Sequence, residues 1–226
     1  MATVGAPLAR LFAPLASRVP AALPAPQFAR LQALLFALAL LPLARLVYLA
    51  IAGGLGANPV EFVIRSLGTW TLVMLCVTLA ITPLRRLTGW AWLARLRRMA
   101  GLFCFFYATL HMLSFVGLDQ WFDLRAILTE VVKRPYITAG AAAFVMLLPL
   151  AATSTNAMVK RLGGRNWQRL HRLVYVIALA AILHFWWHKA GKNDFAQPTL
   201  YAVVIATLLG ARLHYWWHNR QRGLPR

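Results

Sequence analysis

Long apolar runs, separated by short polar segments, dominate the pattern of this chain. A helix needs about 20 apolar residues to cross the hydrocarbon core of a membrane. Six runs meet that length: 31–52, 67–84, 100–118, 137–153, 172–188 and 198–217. Within lipid the backbone must satisfy its own hydrogen bonds, so each run predicts a helix. The pattern therefore predicts an all-α integral membrane protein, built as a bundle of six transmembrane helices.

The first 27 residues differ from the rest of the chain. Five prolines recur there among Ala and Leu, and Arg18 interrupts the stretch. A signal peptide has an uninterrupted apolar centre and a small-residue cleavage site, which this segment lacks. We therefore expect residues 1–27 to be a poorly ordered cytoplasmic extension, residues 28–218 to form the membrane domain, and residues 219–226 to be a short cytoplasmic tail.

Composition separates this chain from soluble proteins. Hydrophobic residues make up 61% and charged residues only 13%, whereas about a quarter of a soluble domain is charged. The high hydrophobicity also excludes intrinsic disorder. Cys76 and Cys104 lie inside apolar runs without closely spaced partners. This placement predicts packed thiols and excludes a zinc or iron–sulfur site.

The basic residues are distributed in a way that predicts topology. The chain has 24 Lys and Arg against 5 acidic residues, a net charge of +19. With a cytoplasmic N-terminus, the inner segments hold sixteen Lys and Arg and the outer loops six, while Arg45 and Arg212 fall within spans. The positive-inside rule then places both termini in the cytoplasm. The net charge reflects topology and contact with anionic lipid, so we expect no nucleic-acid partner.

Three of the six histidines are candidate iron ligands because of their positions in the predicted spans. His111 is in the middle of the third span, His184 is in the outer half of the fifth, and His171 opens the fifth. At 1.5 Å per residue, His111 and His184 both lie about 16–18 Å from the cytoplasmic ends of their helices. These two helices run in the same direction, so the two imidazoles could ligate one heme iron from opposite faces. The alternative is that each ring only hydrogen-bonds a neighbouring helix.

A second heme is harder to derive. His171 and His184 are 13 residues apart, about 20 Å along a helix, which suits two hemes stacked across a membrane. Thirteen steps of about 100° leave the two side chains on different faces, so a kink, a tilt or another ligation would be required. Arg98 stands 13 residues before His111, but it can pair only with a heme propionate. Three alternatives remain for a second cofactor. His214 could be the substitute ligand, the heme could have a single ligand, or His171 could contact a heme propionate or a flavin.

Six stretches give the chain a recognisable family pattern: NPVEFVIRSLGTW (58–70), LAITPLRRLTG (79–89), RLRRMAGLFCFFYATLHM (95–112), KRPYITAG (133–140), TSTNAMVKRLGGRNWQRLHRLVYVIA (153–178) and LHFWWHK (183–189). In these the chain resembles the MsrQ (YedZ) family, the heme-binding subunits of bacterial protein-methionine-sulfoxide reductase systems. That family is similar to the transmembrane domain of ferric reductases and NADPH oxidases.

The resemblance implies a function and a cellular location. Members are b-type cytochromes of the inner membrane that carry electrons but do not themselves reduce methionine sulfoxide. The electrons come from the quinone pool or a cytoplasmic flavin reductase. They pass to MsrP, a periplasmic molybdopterin enzyme that repairs oxidised methionines in periplasmic proteins. The implied cofactors are heme b, as one heme or two, and FMN.

The resemblance also implies site residues. His111, His171 and His184 match the heme motifs of the family and are the expected iron ligands. His188, His214 and His218 lie outside those motifs. Arginines near the inner helix ends, Arg85, Arg86, Arg97 and Arg98, could hold heme propionates or an FMN phosphate, or could anchor the helices at lipid headgroups. The outer loop 119–134 is a candidate docking surface for the periplasmic partner.

Two other functions share parts of this pattern. A stand-alone transmembrane ferric or cupric reductase uses the same scaffold, normally with a fused flavin and nicotinamide domain. This sequence has no G-x-G-x-x-G fingerprint for such a domain. A small transporter or proton channel would use the histidines as relay groups. The predicted spans contain no Asp or Glu, which counts against a proton relay.

Overall fold

A computed structural model describes residues 20–221 of the chain, and within that range all regular structure is helical. The elements are α1 (Ala25–Ile51), α2 (Pro59–Thr88), α3 (Leu93–Ser114), a π-helical turn (Phe115–Asp119), α4 (Leu124–Lys133), α5 (Pro135–Ala152), α6 (Asn156–Leu162), α7 (Gly164–His171), α8 (Leu173–Ala190) and α9 (Ala196–Gln221).

Six segments of the described chain are long and apolar enough to cross a membrane: Ala25–Ile51, Pro59–Thr88, Leu93–Asp119, Pro135–Ala152, Gly164–Ala190 and Ala196–Gln221. They overlap the six predicted spans, which confirms the all-α, six-helix membrane fold. α1 already begins at Ala25, inside the predicted N-terminal extension. Residues 1–19 of that extension and residues 222–226 of the predicted tail lie outside the described range.

Local capping signals explain why several helices extend beyond the apolar runs. The Asn58 side chain accepts a hydrogen bond from the amide of Glu61 at 3.1 Å, and Pro59 occupies the first turn of α2. α2 ends at Gly89, whose φ of 75° gives the left-handed conformation favoured at helix C-termini. The ends of α2 are therefore set by polar and conformational signals that hydropathy does not detect.

The helices pack as two main pairs. α2 lies along α3, and α5 lies along α8; α3 also contacts α5, and α9 contacts both α2 and α8. The core between them is apolar and includes Leu79 and Ala178, both fully buried. Tyr107 is buried there as well, and its hydroxyl donates to the carbonyl of Ala39 at 2.6 Å. This bond links α3 to α1 and satisfies a polar group within the bundle.

The two ends of the bundle carry different charges. We call the end with Arg85, Arg86, Arg97 and Arg98 the basic face. The other end holds six Lys and Arg together with all five acidic residues of the chain, and we call it the acidic face: Glu61, Asp119, Asp123, Glu130 and Asp194. At the acidic face Lys192 pairs with Glu61 at 2.6 Å, which ties the α8–α9 connection to the start of α2. The cytoplasmic position of the basic face and of both termini stays a prediction.

The segment 119–134, treated as a loop in the sequence, is largely helical. α4 occupies Leu124–Lys133, and the Asp123 side chain caps it by accepting from the amide of Ala126 at 3.0 Å. Leu124, Leu128 and Val132 recur every four residues and are exposed. Such an amphipathic helix between two spans is typical of a segment lying along a membrane surface.

The fifth span is interrupted next to His171. α7 ends at His171 and α8 begins at Leu173. Between them the amides of Arg172 and Tyr175 bond to the carbonyls of Arg169 and Arg172, three residues back. This tightened turn breaks the regular helical step. The rotation between His171 and His184 therefore does not follow from their spacing of thirteen residues.

Candidate functional site

The rings of His111 and His184 lie next to each other inside the bundle, nearer the acidic face. Their ring centres are 6.1 Å apart and their planes cross at 78°. An iron bonded to an imidazole nitrogen on each side at about 2 Å, with each ring centre about 1 Å further out, would separate the ring centres by about 6 Å. The distance between the two rings therefore suits two ligands of one iron.

A backbone carbonyl orients each of these rings. Nδ1 of His111 lies 2.9 Å from the carbonyl oxygen of Ile64 on α2. Nδ1 of His184 lies 2.6 Å from the carbonyl oxygen of Tyr136 on α5. A carbonyl oxygen can only accept, so each Nδ1 carries the hydrogen and donates it. Nε2 of each ring then keeps its lone pair, as a metal-bound histidine requires.

Sequence reasoning found the two histidines but missed the groups that hold them. The carbonyls of Ile64 and Tyr136 have no side-chain signature. Gly68 and Gly140, which lie directly against the two rings, fall within two stretches of the family resemblance, 58–70 and 133–140. A glycine inside an apolar helix was the one available signal, because glycine is unfavourable there unless something packs closely against it.

His188 lies beside this pair, one helical turn from His184 toward the acidic face. Its ring centre is 6.5 Å from that of His184, and the two planes are nearly parallel at 12°. It also lies 5.4 Å from the ring of Tyr136. His188 is thus a neighbour of the histidine pair on the same helix.

His171 has a separate environment near the basic face. Its ring stacks on Trp167 at 3.9 Å, and its Nε2 lies 3.1 Å from the hydroxyl of Thr153. That hydroxyl donates to the carbonyl of Pro149 at 2.6 Å. The Thr153 oxygen therefore accepts from Nε2 of His171, which leaves Nδ1 as the nitrogen with a free lone pair. The structure does not bring His171 to the His111 and His184 pair. His214, the considered substitute ligand, contacts His218 and Tyr215 on α9.

A large cavity opens near the basic face. Its volume is about 1340 Å³ and its lining includes Arg85, Arg97, Arg98, Trp167 and His171. Pockets for small ligands usually measure about 300–1,000 Å³, so this cavity has room for a large cofactor. Three of the four predicted arginines reach it. The fourth, Arg86, instead stacks over the ring of Tyr215 at 4.8 Å.

Arg212 lines the same cavity and was not among the predicted site residues. Its Nη2 donates to the carbonyl of Leu79 at 2.7 Å and to the Thr82 hydroxyl at 3.3 Å, and its Nη1 donates to the Tyr175 hydroxyl at 3.1 Å. The carbonyl of Leu79 is available because Pro83, four residues later in α2, has no amide hydrogen. An arginine and a proline in two apolar runs were the sequence signals for this contact.

Comparison with known proteins places the chain in a family. The model for the ferric reductase like transmembrane component matches residues 67–182, which include His111 and His171 and end two residues before His184. Curated relatives named protein-methionine-sulfoxide reductase heme-binding subunit MsrQ match most of its length. The protein of Herminiimonas arsenicoxydans is 59% identical over 80% of this chain and 83% of its own. The chain belongs to the MsrQ family.

Other MsrQ relatives match a similar share of the chain. The protein of Ralstonia nicotianae is 57% identical, covering 83% of this chain and 87% of its own. The protein of Bordetella pertussis is 60% identical, covering 78% of this chain and 85% of its own. No solved structure matches the chain. The MsrQ relationship confirms the family resemblance seen in the sequence and, with it, the ferric reductase-like membrane domain.

Proposed function

We propose that this chain is the heme b electron-transfer subunit of a methionine sulfoxide reductase system, in which His111 and His184 would hold the heme iron. The observation that carries the proposal is the pair of neighbouring imidazoles with ring centres 6.1 Å apart. Both rings donate from Nδ1 to a carbonyl, so both Nε2 atoms are free to bind. The names of the MsrQ relatives, which describe heme-binding subunits, support the same cofactor.

The residues around the pair fit a redox site. Bound heme would supply one-electron chemistry. The two carbonyls fix the ring orientations and increase the electron donation of each imidazole, which favours the oxidised iron. The surrounding side chains, such as Leu67 and Ala108, are buried and apolar. They exclude water and lower the dielectric around the site.

The cavity near the basic face is our candidate for a second cofactor, either FMN or a second heme b. Arg97, Arg98 and Arg85 line it, and guanidinium groups bind phosphates and carboxylates with paired hydrogen bonds. His171 and Trp167 offer a polar ring and a stacking surface on the same wall. Arg86, which lies over Tyr215, is left out of this proposed set.

Two cofactor positions would divide the path of the electron. The hydrocarbon core is about 30 Å thick, and the histidine pair and the arginine-lined cavity lie toward opposite faces of the bundle. We place the chain in the bacterial inner membrane, with the quinone pool or a cytoplasmic flavin reductase as donor at the basic face. The acceptor at the acidic face would be the periplasmic molybdopterin enzyme MsrP, docked on residues 119–134.

Heme content of single-histidine variants tests the proposal. The wild-type protein, purified in detergent from heme-supplemented cells, should show the reduced-minus-oxidised spectrum of a b-type heme. His111→Ala and His184→Ala should lose that heme. His188→Ala is the matched control, because His188 shares α8 with His184 and its ring lies 6.5 Å away. It should keep the spectrum. His171→Ala should keep the heme at the pair, and a lower heme content would reveal a second heme.

Two outcomes would contradict the proposal. One is a colourless wild-type protein that elutes as a single folded species. The other is a full heme complement in His111→Ala or His184→Ala, with size-exclusion profiles that match the wild type.

A further inference from the structure

We propose that Gly68 and Gly140 are positioning residues that give each imidazole access to a helix carbonyl. This inference rests on the proposed heme function and deepens it, because it names residues that set the orientation and electron donation of the two ligands. The acceptors are the carbonyls of Ile64 and Tyr136, four residues before each glycine.

The ring of His184 occupies the space of a side chain at position 140. A Cβ added to Gly140 would lie 2.7 Å from Nδ1 and 2.9 Å from Cε1 of that ring. Atoms in protein cores do not pack so closely. Any other residue at 140 would therefore displace the His184 ring from the carbonyl of Tyr136.

The contact at Gly68 is similar but looser. A Cβ there would lie 3.1 Å from Cε1 and 3.2 Å from Nδ1 of the His111 ring. A shift of a few tenths of an ångström would relieve this contact. We therefore expect substitution at 68 to weaken the bond to Ile64, whereas substitution at 140 should break the bond to Tyr136.

Helix geometry explains why the acceptor and the glycine are four residues apart. In an α-helix the carbonyl of residue i accepts from the amide of residue i+4. The Cα–Cβ bond of residue i+4 tilts toward the helix N-terminus, and so toward that same carbonyl. With glycine at i+4, the carbonyl stays open from the side and can accept a second bond from an imidazole.

The same arrangement occurs twice, on two helices of different sequence. On α2 it joins Ile64 and Gly68 to His111 of α3, and on α5 it joins Tyr136 and Gly140 to His184 of α8. Each glycine-bearing helix is the main packing partner of the helix that carries its histidine. A glycine within a helix is destabilising relative to alanine. Both glycines occupy the position at which a side chain would cover the carbonyl that the ring uses.

The measurable consequence is in the properties of the bound heme. A carbonyl that accepts from Nδ1 makes Nε2 a stronger donor to iron and stabilises the ferric state. Loss of that bond should raise the midpoint potential. Rotation of a ring about its bond to iron should also change the g values of the low-spin ferric heme in electron paramagnetic resonance.

Three alanine variants test the inference. Gly140→Ala should raise the midpoint potential and shift the g values, and Gly68→Ala should shift both in the same direction by less. Gly210→Ala is the matched control, because Gly210 lies within helix α9 and no heavy atom lies within 4 Å of its added Cβ. It should reproduce the wild-type potential and spectrum. If Gly140→Ala fails to accumulate, Gly68→Ala alone decides between a shifted and an unchanged heme.

A heme-free measurement separates this inference from the proposed function. In apo protein with ¹⁵N-labelled histidine, the wild type should show His184 protonated on Nδ1, and Gly140→Ala should lose that preference. A wild-type protein without heme would overturn the proposed function. The tautomer of His184 in apo protein would still test the role of the glycines, because that measurement needs no heme. Heme-loaded Gly140→Ala and Gly68→Ala with wild-type potentials and g values would overturn only the role of the glycines.

Discussion

At the scale of single residues, the polar groups of this bundle depend on backbone carbonyls as partners. The imidazoles of His111 and His184, the phenol of Tyr107 and the guanidinium of Arg212 each donate to a helix carbonyl. Helix carbonyls normally face the amide four residues later. Here Pro83 removes that competing amide for Arg212, and glycines uncover the carbonyl for the two histidines.

Replacement of Arg212 by lysine tests how much the arginine geometry contributes. The guanidinium reaches Leu79, Thr82 and Tyr175 at once, whereas a lysine ammonium is a point donor without that planar fork. Hydrogen bonds between membrane helices are worth about 1–2 kcal/mol or less each. We expect Arg212→Lys to lower the melting temperature in detergent by an amount that corresponds to about 1–2 kcal/mol.

An arginine elsewhere in the membrane domain supplies the control for this measurement. Arg45 is exposed on α1, so Arg45→Lys should leave the melting temperature within error of the wild type. Equal melting temperatures for Arg212→Lys and the wild type would show that the fork at Leu79 adds no stability.

At the scale of helices, the thickness of the membrane made the number and positions of the spans predictable. It also made the depth of each histidine predictable, which is why His111 and His184 could be paired before their distance was known. The direction in which each side chain points around its helix axis was not predictable in the same way. The tightened turn at Arg172 changes the direction of the His171 side chain, and the hydropathy pattern does not indicate such a turn.

The polar groups that the sequence did not predict were missed for one physical reason. The carbonyls of Ile64, Tyr136 and Leu79 are present in every sequence, so only their neighbours mark them. Those neighbours are Gly68, Gly140 and Pro83, which look like ordinary helix-weakening residues until the facing helix is known. The α4 helix was not predicted because its ten residues are too few for a span and its apolar positions are interrupted by charged residues.

At the scale of the whole molecule, an ion pair stabilises the acidic face between the fifth and sixth spans. Lys189 is only 3% exposed and donates to Asp194. That hydrogen bond and the charge of Lys189 hold the pKa of Asp194 below its ordinary value of 3.8. A carboxylate with a lowered pKa stabilises the fold above that ordinary value, and the contribution is lost as the pH falls through the lowered pKa.

The pH dependence of Asp194→Asn tests this pair. The variant should melt below the wild type at pH 7, because the buried Lys189 side chain loses its carboxylate partner. The difference should shrink as the pH falls below 3.8 and should vanish below the lowered pKa of the folded protein, where the wild-type carboxylate is neutral as well. Asp119→Asn, at an exposed acid of the same face, should show no such pH-dependent difference. A constant gap at every pH would mean that the side chain acts by packing.

The orientation of the whole bundle is predicted from its charge pattern, and the proposed direction of electron flow depends on it. Sixteen basic residues against six predict that the basic face is cytoplasmic. With Cys76 and Cys104 replaced by serine, a membrane-impermeant maleimide should label Thr129→Cys, on exposed α4, in intact spheroplasts. Lys160→Cys, exposed on α6 at the other face, should react only after lysis. The opposite labelling would leave the helix bundle and the histidine pair unchanged. It would place the arginine-lined cavity on the periplasmic side, where no cytoplasmic reductase could reach it, and the proposed electron route would have to be abandoned.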